Sequence, residues 1–208
     1  MTERTIETDV LVIGGGMAGC FAAIKAQEKG VSVTLVDKGY TGKSGQSPFA
    51  GTFAVFNPEW GHHLSEWMEQ VNTVGEYVNH REWTEIGFLD SYDRYLDLRS
   101  WGVAFEAEPP HGAGPPSDAG PPRPRLGPCQ AQHLGWRKHA EILRKQVLKS
   151  GAKIMDRIMI VELLKVEGRI VGAVGLAMES GDFCVLKAKA TVLAAGAGGF
   201  KPPGWPIH

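Results

Sequence analysis

The sequence predicts an α/β fold built on a parallel sheet, and three observations carry that expectation. A short apolar run, Val10-Leu11-Val12-Ile13, stops abruptly at Gly14-Gly15-Gly16. An alanine-rich stretch with helical spacing follows and leads into a second strand-like run from Val31 to Asp37. The last third of the chain is a series of apolar runs separated by short turns.

Each element has a local cause. The first run is apolar on both faces, as a strand inside a parallel sheet must be. From Met17 to Lys29 the pattern is helical, with Gly30 placed for a left-handed C-cap. Val31 to Asp37 returns to strand character through Val33, Leu35 and Val36. Strand, tight turn, helix and strand in this order make a βαβ unit with a right-handed crossover. Thr41 to Asn57 is a loop of small and polar residues. Helices are expected at about 64–78 and 80–100. The second carries Asn79 and Glu82 in capping-box spacing, Trp83, Ile86 and Leu89 as its inward side, and Gly102 past its end.

Between Pro109 and Pro128, eight of twenty residues are Pro and four are Gly, which excludes a helix or central strand and predicts an inserted surface loop. A helix is expected at about 135–150, with Trp136, Ala140, Leu143 and Val147 on one stripe and Gly151 as its cap. The rest reads as β: Lys153–Met155, Ile158–Leu164, Arg169–Met178, Phe183–Ala188 and Thr191–Ala195. Glu167-Gly168 and Ser180-Gly181 supply turns, and the last strand runs into a second small-residue turn, Ala195-Gly196-Ala197-Gly198-Gly199.

Bulk properties exclude several classes. With 208 residues, 43% of them apolar, the chain can bury a real core and is neither disordered nor membrane-like. A net charge of −1 offers no electrostatic case for nucleic acid. No apolar run approaches the roughly 20 residues of a membrane span. Cys20, Cys129 and Cys184 lack the paired spacing of a zinc or iron–sulfur site, which fits a reduced, cytoplasmic setting.

Gly14, Gly16 and Gly19 form G-x-G-x-x-G directly after a strand and at the opening of a helix. Alone the pattern is weak, but here its context is what phosphate binding requires. Gly14 permits the tight turn, Gly16 lets the backbone approach a pyrophosphate, and Gly19 lets the helix lie close on the strands. The pyrophosphate then meets free N–H groups at the positive end of the helix dipole. Asp37 ends the second strand, twenty-one residues beyond Gly16, where a carboxylate accepts hydrogen bonds from ribose hydroxyls and disfavours a 2′-phosphate. This unit does not by itself distinguish FAD from NAD, since both contain ADP. The small-residue loop Ser44-Gly45-Gln46-Ser47-Pro48-Phe49-Ala50-Gly51 suits an extended ligand that continues past the pyrophosphate.

The run Thr8-Asp9-Val10-Leu11-Val12-Ile13-Gly14-Gly15-Gly16-Met17-Ala18-Gly19 resembles the start of the fumarate reductase/succinate dehydrogenase flavoprotein family, which includes L-aspartate oxidase and the adenylylsulfate reductase flavoprotein subunit. Ser44–Gly51 resembles that family's segment along the flavin, and the strands from Ile158 to Ala188 resemble its β-meander. Ala190-Thr191-Val192-Leu193-Ala194-Ala195-Gly196 resembles the strand and turn that close its first FAD-contacting stretch. The resemblance implies a Rossmann-like, glutathione-reductase-type FAD-binding domain over residues 1–208, with crossover helices on one face of a parallel sheet and a β-meander on the other. It implies an FAD-dependent oxidoreductase that transfers two electrons. The implied cofactor-binding residues are Gly14, Gly15, Gly16, Met17, Ala18 and Gly19 at the pyrophosphate, Asp37 with neighbouring Lys38 at the ribose, Ser44, Gly45, Gln46, Ser47, Ala50 and Gly51 toward the flavin, and Ala195 and Gly196 closing the site. Implied partners are a small-molecule substrate, with a carboxylate as its class, and a redox partner subunit or the remaining part of the flavoprotein.

Three departures qualify these implications. Gly45 stands where covalent family members carry a flavin-linking histidine, so the FAD is expected to be non-covalent. The usual Ala-Thr-Gly-Gly turn is Ala194-Ala195-Gly196-Ala197 here. The family runs on into a capping domain, so this chain is expected to be an N-terminal portion without one. A non-catalytic dinucleotide-binding or electron-transfer subunit that needs a second chain is the alternative, and an NAD-linked dehydrogenase is a third. No metal is expected: adjacent His62 and His63 point in different directions, and His133 and His139 suit core or surface roles. Trp60, Trp67, Trp83, Tyr92, Tyr95 and Trp101 are expected in the core. Cys20 sits where a helix dipole lowers a thiol pKa, although packing against the sheet is the favoured reading. Arg123, Arg125, Arg137 and Lys138 are expected on a solvated face.

Overall fold

The structure, a computed structural model, describes residues 3–106, 131–134 and 138–197. The Pro/Gly-rich segment 109–128, Cys129, Trp136, Arg137 and Gly198-Gly199 lie outside the described residues. In chain order the elements are β1 (Glu3–Ile13), α1 (Met17–Gln27), β2 (Val33–Val36), β3 (Thr52–Ala54), α2 (Leu64–Val74), α3 (Arg81–Ser100), β4 (Phe105–Glu106), β5 (Ala131–Leu134), α4 (His139–Ser150), β6 (Lys153–Met155), β7 (Ile158–Val166), β8 (Arg169–Ala177) and β9 (Phe183–Leu193). They fall into two compact units, Met1–Phe49 with Ala140–His208, and Ala50–His139.

The first unit is built on a six-stranded sheet of order β6-β2-β1-β9-β8-β7. The pairs β6–β2, β2–β1 and β1–β9 are parallel, and β9–β8 and β8–β7 are antiparallel. The parallel sheet, the crossover helix and the meander are all present. Alternation of side chains separates the two faces of the parallel strands. Leu11, Ile13, Val36 and Met155 share one buried cluster with Ile158, Ala173, Cys184 and Leu186 of the meander. Val12 faces the other way, beside Gly19 of α1. Leu11, Val12, Leu35, Val36 and Leu186 are fully buried, each contributing about 1.5–3 kcal/mol.

Two strands are longer than their apolar runs suggest. β1 begins at Glu3, and β9 is one strand of eleven residues, not the two expected at 183–188 and 191–195. Glu3–Thr8 pairs with Phe183–Ala188, and Val10–Ile13 pairs with Ala190–Leu193. Charged residues interrupt the apolar pattern but pair across the ladder: Lys187 Nζ lies 3.3 Å from Glu7 and Lys189 Nζ 2.6 Å from Asp9. Asp9 also accepts from the Ser32 backbone N–H at 2.8 Å and its hydroxyl at 2.6 Å. Lys189 first, then Ser32, holds the Asp9 carboxyl well below the usual carboxylate range.

α1 ends at Gln27, and Gly30 takes the left-handed conformation expected of it, at φ 75°. α4 buries Ala140, Leu143 and Val147, and Gly151 follows its end at φ 92°.

The second unit holds a three-stranded antiparallel sheet, β3-β5-β4, and the pair α2 and α3. α2 stops at Val74, short of the expected end, because Gly75 caps it and Glu76 and Tyr77 take left-handed φ of 51° and 62°. α3 corrects the sequence reading twice. Its N-cap is His80, whose Nδ1 accepts the Trp83 N–H at 3.4 Å, and Asn79 instead donates to Asn72 and Thr84. Its buried side is Ser91, Tyr95 and Leu98, whereas Trp83, Ile86 and Leu89 are exposed. The helix carries apolar residues on both sides, so periodicity does not select one. Of the other aromatics expected in the core, Trp67 and Tyr95 are buried and Tyr92 and Trp101 are half-buried, whereas Trp60 is exposed. Phe56 packs edge-on to Trp67 at 5.4 Å, and the Trp60 ring meets Tyr92 at 5.4 Å and Tyr95 at 5.8 Å.

Candidate functional site

The C-terminal ends of parallel strands lie on one edge of a sheet, which is where open α/β sheets take ligands. Here that edge carries Gly14 after β1, Asp37 after β2, Asp156 after β6 and Ala194–Gly196 after β9. Backbone hydrogen bonds tie these ends together: Gly14 N–H donates to Val36 O and Ala194 N–H to Ile13 O, each at 2.8 Å.

The four glycines of the turn have different surroundings. Gly14 has φ 107°, and a Cβ on it would collide with the Ala194 carbonyl oxygen. A Cβ on Gly19 would collide with the Gly14 carbonyl oxygen, which is the close helix–strand approach expected of that position. A Cβ on Gly15 would lie 2.8 Å from both Cα and Oγ1 of Thr41. Three sides of the turn are therefore packed by protein. Only Gly16 faces a flexible group, with Ser47 Oγ 3.1 Å from the place a Cβ would take. Gly16 is half-buried, and its missing side chain leaves room that only this hydroxyl enters.

Helix α1 starts at Met17 with no acidic residue in its first turn. Its leading N–H groups lack intrahelical acceptors. Met17 N–H donates to Ser47 Oγ at 2.8 Å. The N–H groups of Ala18 and Gly19 have no acceptor among the described residues. Ala18 is exposed, so this end of the helix is open to solvent.

Asp37 closes the turn from below. Oδ2 accepts the Gly15 N–H and Oδ1 the Gly39 N–H, each at 2.7 Å. A carboxylate oxygen accepts more than one donor, so both retain capacity for hydroxyl groups. Lys38 beside it is exposed. Ser44 is occupied locally, its Oγ accepting the Tyr40 N–H at 2.8 Å. Gly45 and Gln46 are exposed, and the space beside Gly45 is open. Ala195 and Gly196 are exposed, with Ala195 Cα 3.2 Å from a Cβ built on Gly14. The structure thus brings together the glycine turn, Asp37, Ser47 and Ala195. Ala50 and Gly51 belong to the second unit.

Sequence reasoning missed three residues under the turn. Thr41, fully buried, donates its N–H and its hydroxyl to Asp156 Oδ1, each at 2.8 Å. Arg144 Nη1 lies 2.7 Å from Asp156 Oδ2 and donates to Thr41 O at 3.2 Å. One signal was available: Arg144 sits on the stripe of Ala140, Leu143 and Val147, where a helix facing a core carries apolar residues. Cys20 is buried as expected for packing. Burial, then Asp37, pushes its thiol up to about 12, outweighing the helix dipole and the lowering by Arg144.

The other candidates belong to the second unit. His62 is buried, its Nδ1 accepting the Asn57 N–H at 3.1 Å, whereas His63 is exposed. His139 is buried at the start of α4, and Lys138 is exposed. Among the described residues no group of three His, Cys, Asp or Glu could hold a metal, and no helix is long and apolar enough to cross a membrane.

Known proteins give this geometry a family. The family described as FAD binding domain matches residues 9–205. The chain belongs to that family. This FAD-binding domain is similar to one of the subunits of the CoM/CoB fumarate reductase of Methanothermobacter marburgensis, at 27% identity over 211 residues, covering 96% of the domain and 37% of that protein. It is 30% identical over 203 residues to an uncharacterized FAD-dependent oxidoreductase of Methanocaldococcus jannaschii, covering 93% of the domain and 35% of the relative. Among solved structures, the Sdh1 complex of Mycobacterium smegmatis in its apo form matches with a TM-score of 0.74 and 26% identity, over 92% of the domain and 34% of that chain. The FAD-binding domain thus spans little more than a third of the length of the curated relatives it matches.

Proposed function

We propose that this domain holds FAD non-covalently, with the ADP half over the N-terminus of α1. We further propose that the whole protein is a flavin-dependent oxidoreductase of the fumarate reductase/succinate dehydrogenase type. The observation that carries the reading is the contrast among the glycines. Gly14, Gly15 and Gly19 are packed against backbone or Thr41, and Gly16 meets only the Ser47 hydroxyl, 3.1 Å from where its Cβ would stand, beside the Ala18 and Gly19 amides, which have no acceptor among the described residues. That arrangement fits a diphosphate, which needs backbone N–H donors and a positive helix end.

When bound, FAD supplies the two-electron chemistry. The protein's own residues bind and orient it. The N–H groups of Ala18 and Gly19 would meet the diphosphate, with Ser47 Oγ, which accepts the Met17 N–H, beside them. Asp37 accepts ribose hydroxyls on oxygens already oriented by Gly15 and Gly39, and its charge disfavours a 2′-phosphate. Ser44 holds the 40–44 turn in shape through Tyr40, which sets the course of Gly45 and Gln46 toward the flavin. Ala195 and Gly196 close the opposite wall. Gly45 offers no side chain to link the flavin, which supports non-covalent binding.

The reading gives the whole protein a small-molecule substrate of carboxylate class and a redox partner chain. The name of its Methanothermobacter relative, one component of a multi-chain fumarate reductase, supports the partner. Cys20 and Cys184, free and buried, support a reduced, cytoplasmic setting. The test is spectroscopic: the purified protein carries the absorption bands of flavin, and acid precipitation leaves all of the flavin in the supernatant. A colourless protein that takes up NAD and not FAD refutes the proposal, and flavin retained in the pellet refutes non-covalent binding. The share of its relatives that the chain covers favours a second reading, a dinucleotide-binding or electron-transfer subunit without catalysis of its own. Dye-linked reduction measured with and without added partner chains separates the two.

A further inference from the structure

Directly under the glycine turn, a polar cluster joins α4, the end of β6 and the loop after β2. Asp156 takes both donors of Thr41 on one oxygen and the Arg144 guanidinium on the other, and Arg144 reaches back to the Thr41 carbonyl. The dipeptide Thr41-Gly42 is thereby pinned from three directions. Gly42, at φ 72°, is pressed against the Ala140 carbonyl, with Arg144 Cβ 3.2 Å from where its own Cβ would stand.

The other side of this dipeptide is the dinucleotide turn itself. Gly42 N–H donates to Gly15 O at 2.9 Å, and Thr41 fills the space where Gly15 lacks a side chain. Gly15 in turn gives its N–H to Asp37 at 2.7 Å. Gly15 is therefore gripped by Asp37 through its amide and by Gly42 through its carbonyl.

A partly buried ion pair is a poor source of net stability, because desolvation offsets most of its attraction. What this one does well is fix geometry: a planar guanidinium and a carboxylate set the loop backbone through four directed contacts. The geometry points to Thr41, Arg144 and Asp156 as positioning residues for dinucleotide binding, which hold the 39–47 loop so that the Gly15 peptide and the first amides of α1 stay aligned on the diphosphate. This inference rests on the proposed FAD site. None of the three touches the cofactor in it; they act through Gly42, Gly15 and Asp37.

The test uses ADP as probe, titrated calorimetrically into the cofactor-free full chain well below the unfolding temperature of every variant. Amide hydrogen exchange of Gly15, Thr41 and Gly42 is followed in the same samples without nucleotide. Thr41→Val keeps shape and removes one hydrogen bond; the ADP Kd rises about threefold. Asp156→Asn removes the charge that pairs with Arg144; the Kd rises about tenfold and the three amides exchange faster. Thr41→Ser keeps the hydroxyl and restores affinity to within twofold of the parent, and Lys187→Gln, a surface control, changes neither readout. If Thr41→Val and Asp156→Asn lower the unfolding temperature but bind ADP within twofold of the parent, the cluster is structural only and the inference falls. If the parent itself binds neither ADP nor FAD, the proposed function falls, and the exchange rates still report whether the cluster holds Gly15.

Discussion

The same substitution in two helices of this chain should have opposite effects. Gly19→Ala in α1 places a methyl group on the carbonyl oxygen of Gly14, 3.0 Å from that carbonyl carbon and 3.4 Å from Val12 Cγ1. The first two neighbours are backbone, so no rotamer change relieves the overlap and the helix must back away from the turn. Overpacking of this kind costs about 1–3 kcal/mol, while the better helix propensity of alanine returns about 1 kcal/mol. Because the collision is direct, the balance falls near 2 kcal/mol of destabilisation, or about 4–8 °C for a chain of this size. Gly87→Ala in α3 has nothing within 4 Å of the new carbon and gains about 0.5–1 kcal/mol from propensity alone. Urea unfolding followed by circular dichroism reads both: the midpoints move in opposite directions with unchanged slope. A Gly19→Ala variant as stable as the parent, or two variants that shift the same way, would refute the packing argument for Gly19.

Three further outcomes are expected. Trp67→Ala, at a fully buried ring, costs about 3–5 kcal/mol, whereas Trp83→Ala, at a ring 74% exposed, stays within about 0.5 kcal/mol; equal costs in thermal unfolding would contradict the burial. Asp37→Ala strands the Gly15 and Gly39 amides, costing about 1–3 kcal/mol, and weakens ADP binding at least about tenfold, measured by calorimetry. Cys20 has a folded pKa of about 12 against the usual 9.0, so the folded state keeps its proton where the unfolded state has lost it. Its contribution to stability is complete below pH 9 and is lost between pH 9 and 12, with a slope of about 1 kcal/mol per pH unit. Cys20→Ser flattens that part of the stability–pH curve; an unchanged slope would rule the thiol out.

Legibility in the sequence follows the range of the interactions. Strand, glycine turn, helix and second strand could be read because periodicity, caps and a positive φ at Gly14 and Gly30 are local properties. Asp37 could be read because its spacing from the turn is set by one helix and one strand. Thr41, Arg144 and Asp156 could not, since 103 and 115 residues separate Thr41 from its two partners and no local pattern links them. The inward side of α3 was misread for a different reason: Trp83, Ile86 and Leu89 repeat with helical spacing as well as Tyr95 and Leu98 do. The continuity of β9 was hidden by Lys187 and Lys189, whose partners Glu7 and Asp9 are brought opposite only by the fold.

The ladder between β1 and β9 also governs when β1 can be paired on both of its edges. Residues such as Glu7 and Lys187 are neighbours in the sheet although 180 positions separate them. On a ribosome adding roughly 5–20 residues per second, the first strand waits about 10–40 s for the last one. Throughout that interval Val10–Ile13 presents an unpaired apolar edge, the kind of surface that recruits stray strands. Nascent chains stalled before β9 should therefore depend on chaperones far more than chains stalled just after it.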